Sequence, residues 1–286
     1  MSSATTTGST KTFFPPRRPL VSGPRRRSAS RARYWGPPLV VALAILGAWF
    51  LASYVLLDEK RRFLLPSPID VFTQAFFQPE VLAEIVGALG RTATVGLIGL
   101  SIAIVVGILW AVAMSQAGWL ERSLFPYAVI LQCIPILALV PLIGFWFGFD
   151  YPARVIVCVM IALFPMVSNT LFGLQAVDRG QRELFRLQHA SRWTILTKLE
   201  FPTALPAIFA GMRISAGLAV VGAIVGDYFF RRGAPGLGSL ISTYQSRVQS
   251  PELFASIVTA SLFGVVIFLI FGWLGKKAVG SWYEAS

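Results

Sequence analysis

The sequence predicts an all-α integral membrane protein with six transmembrane helices. Three observations carry that expectation. Hydrophobic residues make up 55% of the 286, and the mean hydropathy is +0.68. Only 13% are charged, against about 25% in an ordinary soluble domain. The apolar residues also fall into six separate stretches, each able to supply the roughly 20 helical residues that a hydrocarbon core requires.

In chain order, the spans are expected over 34–57, between Arg91 and Glu121, between Arg122 and Asp150, between Arg154 and Asp178, from Pro206 to Gly226, and between Glu252 and Lys276. Residues 1–33 are rich in Ser, Thr, Pro and Arg without apolar periodicity, and read as a disordered basic tail. The apolar run after them lacks a small-residue cleavage site, so it reads as a retained span and not as a secretory signal. The domain plan is therefore a tail (1–33), a membrane body (34–277) and a C-terminal tail (278–286).

Charge orients the spans. The tail carries eight Lys and Arg before the first acidic residue, Asp58. With the tail inside, sixteen basic residues fall on inside segments and at most eight on outside ones. That bias places both termini in the cytoplasm of a multi-pass cell (inner or plasma) membrane protein, and accounts for the net charge of +12 without nucleic acid.

Between the first two spans, FLLPSPIDVF pairs a proline turn with a short helix, whose first turn Asp70 favours. Between the last two, GAPGLGSLISTYQSRV repeats the arrangement. Each is either a contact for an outside partner or interfacial packing. The third span places Pro135 and Pro141 within one predicted helix. Each removes a backbone hydrogen bond, which marks a helix that lines a cavity or one that merely curves. Two ionisable residues lie in the fifth span. Arg213 is about two turns in and Asp227 closes it. A charge inside a membrane is a functional candidate by default. The structural alternatives are snorkelling for Arg213 and neutralisation by Arg231 and Arg232 for Asp227.

Two cysteines, Cys133 and Cys158, sit in apolar stretches without further ligands at metal spacing, and read as packing residues. One histidine serves the whole chain. The sequence Gly272-Trp273-Leu274-Gly275-Lys276 lacks the spacing and the following hydroxyl residue of a phosphate-cradling loop. ATP hydrolysis, a bound cofactor and a metal site are therefore not expected of this chain.

The longest inside loop, 181–206, is QRELFRLQHASRWTILTKLEFPTALP. Leu184, Leu187 and Gln188 share one helical face, a break falls at His189–Ser191, and Ile195, Leu196 and Leu199 form a second apolar set. Pro202 and Pro206 are expected to stop the second helix. Two short amphipathic helices around a turn read as a docking element.

These residues resemble the EAA motif of ABC-importer permeases: Glu-Ala-Ala, three residues, Gly, nine residues, Ile-x-Leu-Pro. Glu183 keeps the acidic position, Leu184 and Phe185 stand for the alanines, and His189 stands for the glycine. Leu199 and Phe201 hold the aliphatic positions and Pro202 the proline. The flanking segments LLPSPIDVF, IPILALVPLIGFWFG, ASRW, FPTALPAIFAGMRISAGLAVVGAIVGDYF and PGLGSLI resemble the nitrate/sulfonate/taurine/bicarbonate-type branch, over roughly residues 64–275. The resemblance implies a type I importer permease subunit and leaves its substrate open among nitrate, sulfonates, taurine, bicarbonate and thiamine-pathway pyrimidines. It also implies partners: separate cytoplasmic ABC ATPase subunits that use ATP and Mg, an external substrate-binding protein, and a second permease subunit in the lipid bilayer, either a second copy in a homodimer or a different chain in a heterodimer. Glu183, Leu184, Phe185, Leu187, His189, Arg192, Leu199 and Pro202 then form the ATPase-coupling loop. Pro135, Pro141, Arg213 and Asp227 are the pathway or gating candidates. Histidine tolerates left-handed backbone better than most residues, which suits the glycine position; a pH-sensing role is the alternative.

Two other classes compete. An ATP-independent secondary transporter calls for carboxylates or paired charges near the bilayer midplane. A membrane enzyme or redox subunit calls for histidine ligands, clustered cysteines or a nucleophile with its base. The sequence offers neither set.

Overall fold

A computed structural model describes residues 31–58 and 63–283. The expected tail, up to residue 30, and the basic residues Lys60, Arg61 and Arg62 lie outside that range, as do 284–286. The chain divides into two units, Met1–Ala48 and Trp49–Ser286. The described part of the first is the body of helix α1 (Arg31–Leu51), which continues into a π-helical turn, Ala52–Leu56.

The regular secondary structure of the second unit is helical among its described residues: α2 (Pro68–Val71), α3 (Pro79–Gln116), α4 (Gly118–Cys133), α5 (Ile136–Phe147), α6 (Tyr151–Gln175), α7 (Arg179–Leu187), α8 (Arg192–Ile195), α9 (Phe201–Phe229), α10 (Leu237–Ser246) and α11 (Ser250–Tyr283). Among the described residues, five helical stretches are long and apolar enough to cross a bilayer: Gly36–Val55, Pro79–Gln116, Tyr151–Gln175, Arg192–Phe229 and Ser250–Gly280.

The third expected span is not one kinked helix. It is two, α4 and α5, bent by 98°. Proline disfavours helical backbone in the residue before it, and Ile134 accordingly sits extended at φ −68°, ψ 125°. Pro135 thus becomes the N-cap of α5, and only Pro141 lies inside a helix. Cys133, expected to be buried packing, is exposed at the end of α4, whereas Cys158 is buried.

The expected helix stop at Pro202 and Pro206 is also absent: helix runs through from Arg192 to Phe229. A proline ring collides with the carbonyl four residues earlier in regular α-helix. Here the preceding turn, Leu196–Glu200, is widened to π geometry, with the Phe201 N–H donating to the Leu196 carbonyl. Pro202 then falls in the first turn of α9, where a missing N–H is tolerated best.

Helices α6 and α9 form the centre, and their contact rests on small residues. A Cβ on Gly222 would lie 2.8 Å from the Cys158 Cα, and one on Gly226 would lie 3.0 Å from the Arg154 Cα. In a membrane, helices associate through close packing and hydrogen bonds, so removing side-chain bulk at the crossing is what lets them approach. The Ser215 hydroxyl donates across to the Ala162 carbonyl at 2.8 Å.

At the end of the body near α2 and α10, Ser67 and Asp70 form a capping box that starts α2 as the sequence requires. Leu237, Leu240 and Tyr244 of α10 are buried with Val71, Ala75, Ile85 and Ala88. At the other end, Met166, Leu171 and Leu174 of α6 pack with Leu196, Ala204 and Ile208.

Gly222→Leu is expected to force α6 and α9 apart, destabilising the body by about 1–3 kcal/mol. Thermal unfolding in detergent checks this: an unchanged midpoint would mean that the close approach contributes nothing.

Candidate functional site

The loop between α6 and α9 is built from two caps and a left-handed turn. The Asp178 carboxylate accepts from the N–H groups of Gly180 at 2.7 Å and Gln181 at 3.4 Å, starting α7. The Ser191 hydroxyl accepts from the Thr194 N–H at 3.1 Å, starting α8. Between them His189 takes φ +53°, with its N–H donated to the Arg186 carbonyl. Left-handed backbone is where glycine is cheapest and where histidine is among the tolerated alternatives.

The loop shows two faces. Leu184, Leu187 and Trp193 are 54%, 79% and 71% exposed, and Glu183, His189 and Arg192 are exposed beside them. Phe185 and Pro202 are half-buried. Leu199 is buried with Leu196 against the membrane body, so it anchors the loop and is not offered outward.

Three of its charged side chains, Arg182, Arg192 and Glu200, are engaged within the protein. Arg182 pairs with Glu200 at 3.1 Å and donates to the Leu174 carbonyl at 3.4 Å. Arg192 donates to the Gln116 carbonyl, at the end of α3, at 3.1 Å. The loop is thereby fastened to α3, α6 and α9 together. Cations placed against carbonyls at helix C-termini are favourably aligned with the helix dipole.

The four residues expected along the pathway do not converge. Pro135 and Pro141 are exposed on the bent pair α4–α5, and Arg213 lies half-buried over the Phe268 ring of α11 at 3.9 Å. Asp227 is fully buried at the far end of α9. Its partner is not Arg231 or Arg232, as the sequence proposed, but Arg154 of α6, at 3.1 Å. The same guanidinium donates to the carbonyls of Ala234 at 3.1 Å and Arg232 at 2.6 Å. Thr92 of α3 donates to the second Asp227 oxygen and accepts the Leu237 N–H at 2.8 Å. The Ser239 hydroxyl donates to the Asp227 carbonyl at 2.6 Å, and Arg91 donates to the Pro235 carbonyl at 2.6 Å. Arg231 instead contacts Ser242. Just beyond, burial and then the Glu84 carboxylate, which accepts its hydroxyl at 2.7 Å, push the Tyr244 phenol up, keeping it a donor.

Sequence reasoning does not single out Arg154 or Thr92. In the sequence Arg154 only marks a span edge; the signal for it is an opposite charge at the same end of the neighbouring span. No group of three or more His, Cys, Asp or Glu side chains that could hold a metal ion occurs among the described residues.

Asp227→Asn should leave Arg154 buried without its counter-charge, and losing one partner of such a pair typically costs about 3–5 kcal/mol. Detergent melting curves should show a large loss, recovered in part by pairing the change with Arg154→Met. Equal stability of the single variant and the parent would contradict the arrangement.

Comparison with known proteins agrees with this architecture. Residues 103–278 match the family described as binding-protein-dependent transport system inner membrane component. The chain is 33% identical over 232 residues to the formylaminopyrimidine transport permease protein ThiX of Halalkalibacterium halodurans, covering 81% of this chain and 90% of that one. It is 32% identical over 270 residues to the riboflavin transport system permease protein RibX of Chloroflexus aurantiacus, covering 92% and 96%. It is 31% identical to the putative aliphatic sulfonates transport permease protein SsuC of Escherichia coli, covering 79% and 84%. In fold it resembles an inward-facing structure of the MetNI methionine ABC transporter, with a TM-score of 0.54 over 78% of this chain and 99% of that one, at 18% identity. The chain belongs to the binding-protein-dependent transport inner-membrane family and is an ABC transporter permease with a type I importer fold.

Proposed function

We propose that this permease forms half of the translocation pathway of an ATP-driven importer and couples to a separate ATPase through the α7–α8 loop. The observation that carries the reading is the outward display of Leu184, Leu187 and Trp193 on a loop otherwise tied down by its own charges. Apolar side chains held clear of the body, at the end of polar helices, suit insertion into a partner's groove. Glu183 supplies the polar rim of that contact.

A transmission follows from the attachments. The loop is joined to α6 through Leu174, to α9 through Glu200 and to α3 through Gln116. A displacement of the loop therefore moves the ends of three spans as one body. ATP, with Mg, drives transport only to the extent that the ATPase pair binds it more tightly in one permease conformation than in the other. The loop carries that difference to the helices. Two copies of the chain face each other across the pathway, both termini lie in the cytoplasm, and an external binding protein delivers the solute.

The solute class is a small polar molecule of the nitrate, sulfonate, taurine, bicarbonate or thiamine-pathway pyrimidine kind. Support comes from relatives named for formylaminopyrimidine, riboflavin and aliphatic sulfonates. A thermal-shift screen of these compounds on the co-purifying binding protein identifies it, since a ligand of the native state raises the melting temperature by mass action. An ATP-independent secondary transporter is disfavoured: the one buried carboxylate–guanidinium pair, among the described residues, is consumed by backbone contacts at the end of α9.

Glu183→Lys is expected to give a folded permease that no longer co-purifies with its ATPase in mild detergent. Normal co-purification and transport would remove the docking role. His189→Gly should preserve transport, because glycine accepts the same left-handed turn; a large loss of solute-dependent ATP hydrolysis would instead assign the imidazole a role of its own.

A further inference from the structure

A cavity of about 320 Å3 opens between α9 and α11, lined among others by Phe209, Arg213, Phe271, Gly272, Lys276 and Val279. Its two cations come from positions 63 residues apart in the chain, so no sequence pattern announces the pair. None of the residues lining it is acidic. Arg213 has no ion-pair partner among the described residues, and its Nε is buried without a hydrogen-bond acceptor. Its guanidinium rests on the Phe268 ring and lies across Gly272, where a Cβ would come within 3.2 Å of Nε. Glycine at 272 is what leaves room for the arginine to reach the cavity. A guanidinium in an apolar span, beside a second cation and without a carboxylate, is costly until an anion joins it.

We propose that this cavity binds the phosphate of an anionic phospholipid, with Arg213 and Lys276 on the headgroup and the acyl chains along the apolar wall. The rest of the lining fits chains better than a free ion: Phe209, Phe271 and Val279 are apolar, and the adjoining face of α11 exposes Leu262, Val265, Val266, Leu269 and Trp273. Basic pockets between spans at the cytoplasmic side attract anionic headgroups for the same electrostatic reason. Placing the lipid in the inner leaflet rests on the orientation proposed above; the binding chemistry does not.

The test is native mass spectrometry of the full chain, purified from mixed phosphatidylglycerol and phosphatidylcholine and progressively delipidated. A single phosphatidylglycerol should persist after phosphatidylcholine is stripped. Lys276→Gln and Arg213→Gln should each weaken retention about fivefold, the effect of losing one cation near a headgroup. Lys277→Gln is the control, because Lys277 lies over the Trp273 ring and does not line the cavity. Lys276 is at the helix surface, so its variant stands even if Arg213→Gln fails to fold. Equal retention of both lipids, or equal loss in the Lys276 and Lys277 variants, overturns the proposal. Displacement of the lipid by nitrate or methanesulfonate, with the solute itself bound, would assign the cavity to a transported anion and overturns it as well. None of these readouts involves the ATPase, so failure here leaves the coupling proposal untouched, and failure of ATPase co-purification leaves this one untouched.

Discussion

The buried pair of Arg154 and Asp227 is the constraint on which the α10 end of the molecule depends. Both groups are withdrawn from solvent, and each must be satisfied within the protein. The carboxylate is met by a guanidinium and a threonine hydroxyl, and the guanidinium by two loop carbonyls as well. The result fixes α3, α6 and α9 to one another and closes the segment that leads into α10. A hydrophobic contact of equal area would be less selective, because it accepts sliding, whereas a charge pair with directed hydrogen bonds accepts one register.

The opposite end repeats the design with a more exposed pair, Arg182 and Glu200, and with Arg192 on the end of α3. Between the two clusters α6 and α9 pack at backbone distance over glycines. From Pro202 to Asp227 the helix spans about 38 Å at a rise of 1.5 Å per residue, somewhat more than the hydrocarbon thickness. The α6–α9 pair thus forms a strut with the α7–α8 loop at one end and the Arg154–Asp227 cluster at the other. The bent helices α4 and α5, whose outer surfaces are largely exposed, are fastened less firmly to it. In the proposed importer, that difference separates a body that moves as a unit from elements that can rearrange around it.

Much of this was legible in the sequence because hydropathy reports directly on what a bilayer demands. The six apolar stretches and the start of α2 follow from local rules, and the left-handed turn at His189 follows from its place at the glycine position of the resembled motif. The misread features depend on geometry between distant residues. Pro135 breaks its span because the residue before it is forced extended, while Pro202 does not stop its helix because a widened turn precedes it. Proline alone does not distinguish the two cases. Asp227 was assigned to nearby Arg231 and Arg232, but proximity in sequence carries no weight once a helix ends between them, and Arg154 on the neighbouring span takes the charge. The cavity holding Arg213 and Lys276 was invisible for the same reason.

The rigidity of the α6–α9 strut is tested most directly by distance measurements between spin labels at Gln188, in the turn between α7 and α8, and Phe229, at the far end of α9. Only one copy in the proposed two-copy importer is doubly labelled, and a second sample carries Gln188 labels on both copies. A rigid strut predicts the same Gln188–Phe229 distance in the ATP-free and ATP-locked states, while the Gln188–Gln188 distance between copies changes. A Gln188–Phe229 distance that changes as much as the distance between copies would contradict it.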